Sequence, residues 1–129
     1  MRQHITLSPD GRVAIVAVGG ARTRQTAEAG NAAFLKFHAD HPTDLVLFDT
    51  SSAYSDAPAE EVVEWAMDIC TRLPRLRVAI LARHLDCHYA RMWRRGLAAA
   101  GHEATVFDHA GQAVAWLGSP VEGETLYID

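Results

Sequence analysis

Runs of apolar residues separated by polar turns divide this chain into alternating strands and helices. Unbroken apolar runs at residues 13–18, 45–48 and 76–81 indicate strands that are buried on both faces. A polar, alternating segment at residues 2–7 precedes Ser8-Pro9-Asp10-Gly11, whose Pro and Asp-Gly steps favour a turn. The chain therefore opens with a β-hairpin whose first arm is an edge strand, and a further short strand is predicted at residues 103–107.

Four segments between and after these strands place their apolar residues at helical spacing. They span residues 23–39, 59–73, 87–100 and 110–117. Pro58 suits the first turn of the second helix, and Asp86 is the expected N-cap of the third, which ends at Gly101. The apolar stripes include Trp65, Trp93 and Trp116, which we expect to pack in the core.

The order β-β-α-β-α-β-α-β-α predicts an α/β fold. Right-handed crossovers give a mixed, mostly parallel sheet with an antiparallel N-terminal edge strand. One domain spans residues 1–118, and residues 119–129 form a tail that is either loosely ordered or a partner-dependent strand through residues 126–128. In open α/β sheets, ligands bind at the edge where the strands lead into helices. The loops expected at that edge are residues 19–24, 50–57, 82–86 and 108–110.

The charge, the cysteines and the apolar runs indicate which partners and which cellular compartment to expect. The net charge is −4 over 129 residues, which argues against a nucleic-acid surface because phosphate binding needs clustered positive charge. Cys70 and Cys87 lack metal-type spacing, so reduced thiols are expected. The N-terminal residues show no apolar signal segment, and no run reaches membrane-spanning length. We therefore expect a cytoplasmic protein without a metal or cofactor.

The strand at residues 45–48 runs into a segment rich in hydroxyls and acids, which we predict to be an interaction loop. The candidate residues of this loop are Asp49, Ser51, Ser52, Tyr54, Ser55 and Asp56. Asp49 ends a buried strand, as a phospho-accepting aspartate does. Phosphoryl transfer to an aspartate also needs an acidic pair that binds a cation and a lysine that neutralises the phosphoryl charge, and the strand ends of this chain supply neither. Asp49 is therefore expected to accept hydrogen bonds from backbone amides in its loop.

The strand-to-helix step after residue 18 is a candidate anion site, because amides at a helix start attract negative charge. Its residues are Gly19, Gly20, Arg22 and Arg24. A full Gly-x-Gly-x-x-Gly pattern is missing, which excludes a dinucleotide fingerprint. His84 and Asp86 are metal-competent residues of a loop, whereas Cys87 and His88 point in different directions at the helix start, so no metal site is predicted. A nucleophile–base pair could be drawn from Ser52 or Ser55 with His84, or with His109, but the sequence gives no geometry for either, and no catalytic pair is predicted.

Several core segments carry a resemblance to a known family. They are residues 11–16, 45–49, 76–81, 104–108 and 113–117, and the most specific is Phe107-Asp108 followed by an Ala-x-x-Trp-Leu helix. On these segments the chain resembles the SpoIIAA-like (STAS/SEC14-type) family of small bacterial domains, over about residues 3–118. The resemblance implies a β-α superhelix with a mixed sheet.

In the anti-sigma-factor antagonists to which that family is related, a regulatory serine lies in an Asp-Ser-Ser-Gly turn after the strand equivalent to residues 45–48. If Asp56 matches the acid of this turn, Ala57 and Pro58 stand where the serines would be. The resemblance therefore implies a module that is no longer regulated by phosphoserine.

The leading functional prediction is a non-enzymatic regulatory or protein-interaction module, whose working surface includes residues 50–57 and the following helix. The alternative is a binder of a small apolar or anionic, lipid-like ligand at the strand C-terminal edge, as the lipid-transfer relatives suggest. A third option is an enzyme that uses the same edge. The partner is thus an unidentified protein or small ligand. A homodimer formed by strand addition, through the first strand or residues 126–128, is also open.

Overall fold

In the computed structural model, which describes residues 2–119, five strands form one sheet and four helices cover it. The elements are β1 Arg2–Leu7, β2 Val13–Ala21, α1 Arg24–Asp40, β3 Leu45–Tyr54, α2 Ala59–Cys70, β4 Arg77–Leu81, α3 His88–Ala99, β5 Glu103–Phe107 and α4 Ala110–Leu117. The sheet order is β1-β2-β3-β4-β5, with β1 antiparallel to β2 and the other pairs parallel. The predicted α/β fold with an antiparallel N-terminal edge strand is confirmed.

Sequential strand order places the crossover helices on one side of the sheet, since each right-handed crossover advances in the same direction. Val16, Phe48 and Val78 point to this side and join the larger core cluster with residues of α1, α2 and α3. Their neighbours along the strands point the other way. There Leu47 and Ala79 pack against α4 in a smaller cluster. The larger core therefore lies between the sheet and three helices.

Two strands are longer than predicted. β2 was expected to end before Gly19 and β3 at residue 48, yet both continue, to Ala21 and Tyr54. They pair Gly19 with Ser52 and Ala21 with Tyr54 beyond an irregularity in register, while β3 and β4 pair only as far as Leu81. Gly20 has φ of +75°, a conformation that glycine adopts without strain. The predicted interaction loop is thus mostly a two-stranded extension.

The helix ends differ in detail from the prediction. Thr23 is the N-cap of α1 and forms a reciprocal pair with Thr26, each side chain accepting from the other's backbone amide. The predicted N-cap of α3, Asp86, is wrong: Cys87 holds that position and makes no side-chain capping bond. The second helix ends at Cys70 rather than at residue 73.

The opening turn is held by side chains, as its sequence predicts. Ser8 Oγ donates to Asp10 Oδ1 at 2.7 Å, and the amide of Arg12 donates to the same oxygen at 3.0 Å. These bonds favour the carboxylate, so the pKa of Asp10 is lowered, chiefly by the Ser8 hydroxyl. Gly11, at φ of +74°, completes the turn.

A buried histidine joins three elements at the opposite end of the sheet. His102 Nδ1 accepts from the amide of Leu76 at 2.9 Å, which places the ring proton on Nε2. Nε2 then donates to the Cys70 carbonyl at 2.9 Å. His102 thereby connects the end of α2 with the starts of β4 and β5.

Candidate functional site

Asp49, the acid that ends the central apolar run, accepts hydrogen bonds from groups close to it in the chain. Asp49 is buried, and its Oδ1 accepts from the amide of Ser51 at 3.0 Å and from the Ser51 hydroxyl at 2.6 Å. The hydroxyl of the neighbouring Thr50 donates to the Leu81 carbonyl at 2.9 Å. Asp49 therefore accepts from a backbone amide as expected, although the segment is a strand.

The other residues of the predicted interaction loop do not share one surface. Tyr54 is 57% exposed, and Asp56 is exposed as well. Ser52 is half-buried, and so is Ser55, whose hydroxyl donates to the Arg22 carbonyl at 2.9 Å. Alternation along β3 separates these side chains, so the strand brings only part of the predicted set to the solvent.

The two arginines of the predicted anion site lie in different environments. Arg22 is only 4% exposed; its amide donates to the Tyr54 carbonyl at 2.7 Å, and its Nη1 donates to the Gly19 carbonyl at 3.4 Å. Arg24 is exposed, and its Nη2 lies 3.5 Å from Glu61 Oε1. The structure thus points one arginine into the core and the other into solvent.

Arg22 lines a cavity of about 70 Å³ between the sheet and helices α1, α2 and α3. Val16, Phe48 and Val78 contribute apolar side chains from the sheet, and Phe34 contributes another from α1. An interior is normally close-packed, with few voids larger than a water molecule. This cavity is therefore a candidate site for a small molecule.

Polar groups interrupt the apolar wall at a few points. Tyr89 and Trp93 lie one turn apart on α3, both buried, with ring centroids 6.3 Å apart. Burial raises the pKa of Tyr89, while the charge of Arg22 and hydrogen bonding from Arg22 and Trp93 oppose the rise. Asn31 also lines the cavity, but its amide donates to the Trp65 carbonyl at 3.0 Å. Arg22, Tyr89 and Trp93 thus form a polar group on one wall.

An outer groove adjoins the cavity between β1 and α1. It has a volume of about 450 Å³ and shares Gln3, Arg22 and Gly30 with the inner cavity. Gln3 Nε2 donates to the Gly30 carbonyl at 3.2 Å. A Cβ on Gly30 would lie 2.2 Å from Gln3 Oε1, so glycine is what allows the amide to rest there. Gln3 and Gly30 therefore lie where the groove adjoins the cavity.

The remaining candidate groups are the metal-competent side chains, the cysteines and the C-terminal strand. Across residues 2–119, no three His, Cys, Asp or Glu side chains are grouped so as to hold a metal ion, and no helix is both long and apolar enough to cross a membrane. Burial raises the pKa of Cys70 to about 12, so this thiol is protonated at neutral pH. The predicted strand at residues 126–128 lies outside the described part of the chain.

No family model matches this sequence, and no curated protein matches it.

The sequence predicted only part of the residues that line the cavity. Arg22 belonged to the candidate anion site, while Gln3, Tyr89 and Trp93 were not among the candidate site residues. One signal was present: Asn31 interrupts the apolar stripe of α1 one turn after Ala27. A polar residue on a buried stripe indicates an interior that needs hydrogen bonding.

Proposed function

We propose that this chain is a cytoplasmic, non-enzymatic SpoIIAA-like (STAS/SEC14-type) domain that binds a small, largely apolar ligand between its sheet and helices α1–α3. The observation that carries the proposal is the inner cavity, with apolar walls and a few buried polar groups, the usual composition of a small-molecule site. The element order and the antiparallel edge strand support the family assignment.

The energetic cost of the cavity favours a functional role. At about 24 cal/mol per Å³, a void of this volume costs about 2 kcal/mol of stability. One added methyl group, as in Val16→Ile, would fill part of it. A cavity that is costly and easily filled is better explained by a ligand than by packing. The proposed site lies under the helices and not in the exposed strand-end loops.

Paired substitutions on the two faces of β2 test this function. Val16→Ile adds a methyl group into the cavity, whereas Val13→Ile adds one to the core on the α4 side. We screen small aliphatic alcohols, amides and acids for a rise in the melting temperature of the wild-type protein. Val16→Ile is expected to weaken the binding of any such compound, and Val13→Ile is expected to leave it unchanged. Equal binding by both variants, or no stabilising compound, contradicts the proposal.

A protein-interaction module is the second candidate, and two exposed apolar side chains favour it. Tyr54 ends β3 at 57% exposure, and Leu85 in the β4–α3 loop is 56% exposed, so both lie at the strand C-terminal edge. In a pulldown, Tyr54→Ser is expected to lose a specific partner that Met67→Ser, a control on exposed α2 surface, retains. A partner retained by both variants argues against this surface. The prediction of a homodimer through β1 stays a prediction.

A further inference from the structure

Two neighbouring helices carry opposite charges on their outer surfaces. Glu60 and Glu64 are exposed one turn apart on α2, and Arg91 and Arg95 are exposed one turn apart on α3. Within residues 2–119, no ion pair includes any of these four side chains. Each helix therefore presents to solvent a row of two charges that the chain itself does not neutralise.

The other acidic residues of α2 differ in this respect. Glu61 Oε1 lies 3.5 Å from Arg24 Nη2, and Asp68 Oδ1 lies 3.4 Å from Arg72 Nη2. Both of these acids thus have a basic partner within the same chain. The row formed by the remaining two acids is the part of the helix that is available to a positively charged partner.

The contact between α2 and α3 sets the two rows at the same height. The helices run in the same direction, because β3, β4 and β5 are parallel and each helix returns the chain over the same side of the sheet. Gly96 lies so close to Ala66 that an added Cβ would be 2.5 Å from Ala66 Cβ and 2.7 Å from the Val63 carbonyl oxygen. Counting back from this contact puts Arg95 level with Glu64 to within about one residue, a rise of about 1.5 Å. One turn earlier, the other two charges are level in the same way.

An apolar strip lies between the two charged rows. Met67 is 37% exposed, while Val63 and Met92 are half-buried. Val63 and Met67 are i and i+4 on α2, and Met92 is i−4 from Gly96 on α3, so all three lie on the flanks where the helices meet. An apolar centre with charged margins is the usual arrangement of a protein–protein interface.

We propose that this face of α2 and α3 binds a second copy of the chain, about a twofold axis that runs along the helices. Such an axis places α2 of one copy on α3 of the other, so Glu64 lies opposite Arg95 of the second copy and Glu60 lies opposite its Arg91. Because the interface is isologous, each of these pairs occurs twice, and the two apolar strips meet at the axis. A twofold axis across the helices would instead place α2 on α2 and set like charges together. The inference is separate from the proposed ligand-binding function.

The size of the face predicts a weak dimer. Each helix has 12 residues and is about 18 Å long, and two adjacent helices are about 20 Å wide. The footprint of about 360 Å² is below the roughly 800 Å² per partner of a standard interface. Exposed ion pairs also contribute little each. We therefore expect a reversible dimer that forms at high protein concentration and low salt.

Sedimentation equilibrium of the full chain measures this association. The protein is studied between about 10 μM and 1 mM, a range suited to a small interface. The average mass is expected to rise with concentration from the 14.1 kDa of one chain toward twice that value. Raising the salt concentration from about 50 mM to about 500 mM is expected to weaken the dimer, because salt screens exposed charges.

Charge reversal, followed by its complement, tests the pairing. Glu64→Arg and Arg95→Glu each set like charges together twice in the dimer, so each is expected to raise the dissociation constant by about tenfold or more. An equimolar mixture of the two variants is expected to recover the wild-type affinity, because every contact then joins an arginine to a glutamate. The chain that carries both substitutions should recover it as well. Lys36→Glu and Asp40→Arg, exposed on α1, make the same changes in net charge and are expected to leave the dimer unchanged.

Each result decides for or against the interface. A protein that stays monomeric at every concentration in low salt overturns the proposal. A dimer that tolerates both reversals uses another surface, such as the edge strand β1, and overturns it too. Failure of the mixture to recover affinity refutes the twofold arrangement. If Glu64→Arg or Arg95→Glu lowers the melting temperature, Glu60→Arg and Arg91→Glu make the same comparison one turn earlier.

Discussion

Replacing His102 with alanine removes the partner of two buried backbone groups at once. The Leu76 amide loses its acceptor and the Cys70 carbonyl loses its donor, each now joined to the imidazole at 2.9 Å. A buried polar group left without a partner costs about 1–3 kcal/mol, so the two together cost about 2–6 kcal/mol. That is a large part of the roughly 5–15 kcal/mol that stabilises a domain. We expect His102→Ala to be marginally folded at room temperature.

Urea denaturation followed by circular dichroism measures this effect, with His84→Ala as the control. His84 is exposed in the β4–α3 loop, so its removal is expected to change the free energy of unfolding by less than about 0.5 kcal/mol. The denaturant dependence of both variants should match the wild type if unfolding stays two-state. A loss of less than about 1 kcal/mol for His102→Ala would refute the reasoning that this ring satisfies two buried groups.

Three further predictions concern packing, thiol reactivity and pH. Gly96→Ala is expected to lower the melting temperature, because the new Cβ would lie 2.5 Å from Ala66 Cβ, and adding Ala66→Gly should restore part of the loss. With an aromatic disulfide reagent, the native protein is expected to label at Cys87 and not at buried Cys70, and both should label in denaturant. Asp10→Asn is expected to reduce stability above the ordinary aspartate pKa of 3.8, where the carboxylate contributes fully. On acidification through the lowered pKa of the folded state, this difference from the wild type should disappear in pH-dependent melting curves.

The order of elements was predictable because each buried strand and helix carries its own local pattern. The run at residues 76–81 produced β4, and the spacing of Val62, Trp65, Ala66 and Ile69 produced the buried face of α2. Glycines marked the ends of α3 and α4 correctly, since a left-handed residue stops a helix, as Gly118 does at φ of +77°. Local signals of this kind do not depend on tertiary contacts.

The extension of β2 and β3 could not be predicted, because neither strand is apolar beyond the central sheet. Gly19-Gly20 and Thr50-Ser51-Ser52 are typical turn compositions. What makes them strands is their mutual pairing, which satisfies both backbones and is a long-range contact. The same limit applies to the candidate site, since Gln3, Arg22 and Tyr89 meet only after the sheet and helices have assembled.

The void is the costly feature of the inner cavity. At about 24 cal/mol per Å³ it costs about 2 kcal/mol, which is a noticeable share of a typical domain's stability. Val16→Ile would reduce this cost while keeping the residue apolar. The variant is therefore expected to be more stable than the ligand-free wild type and to bind a small apolar ligand more weakly. Stability gained together with binding lost is the signature of a site maintained for a ligand, whereas stability gained without loss of binding would leave only a packing defect.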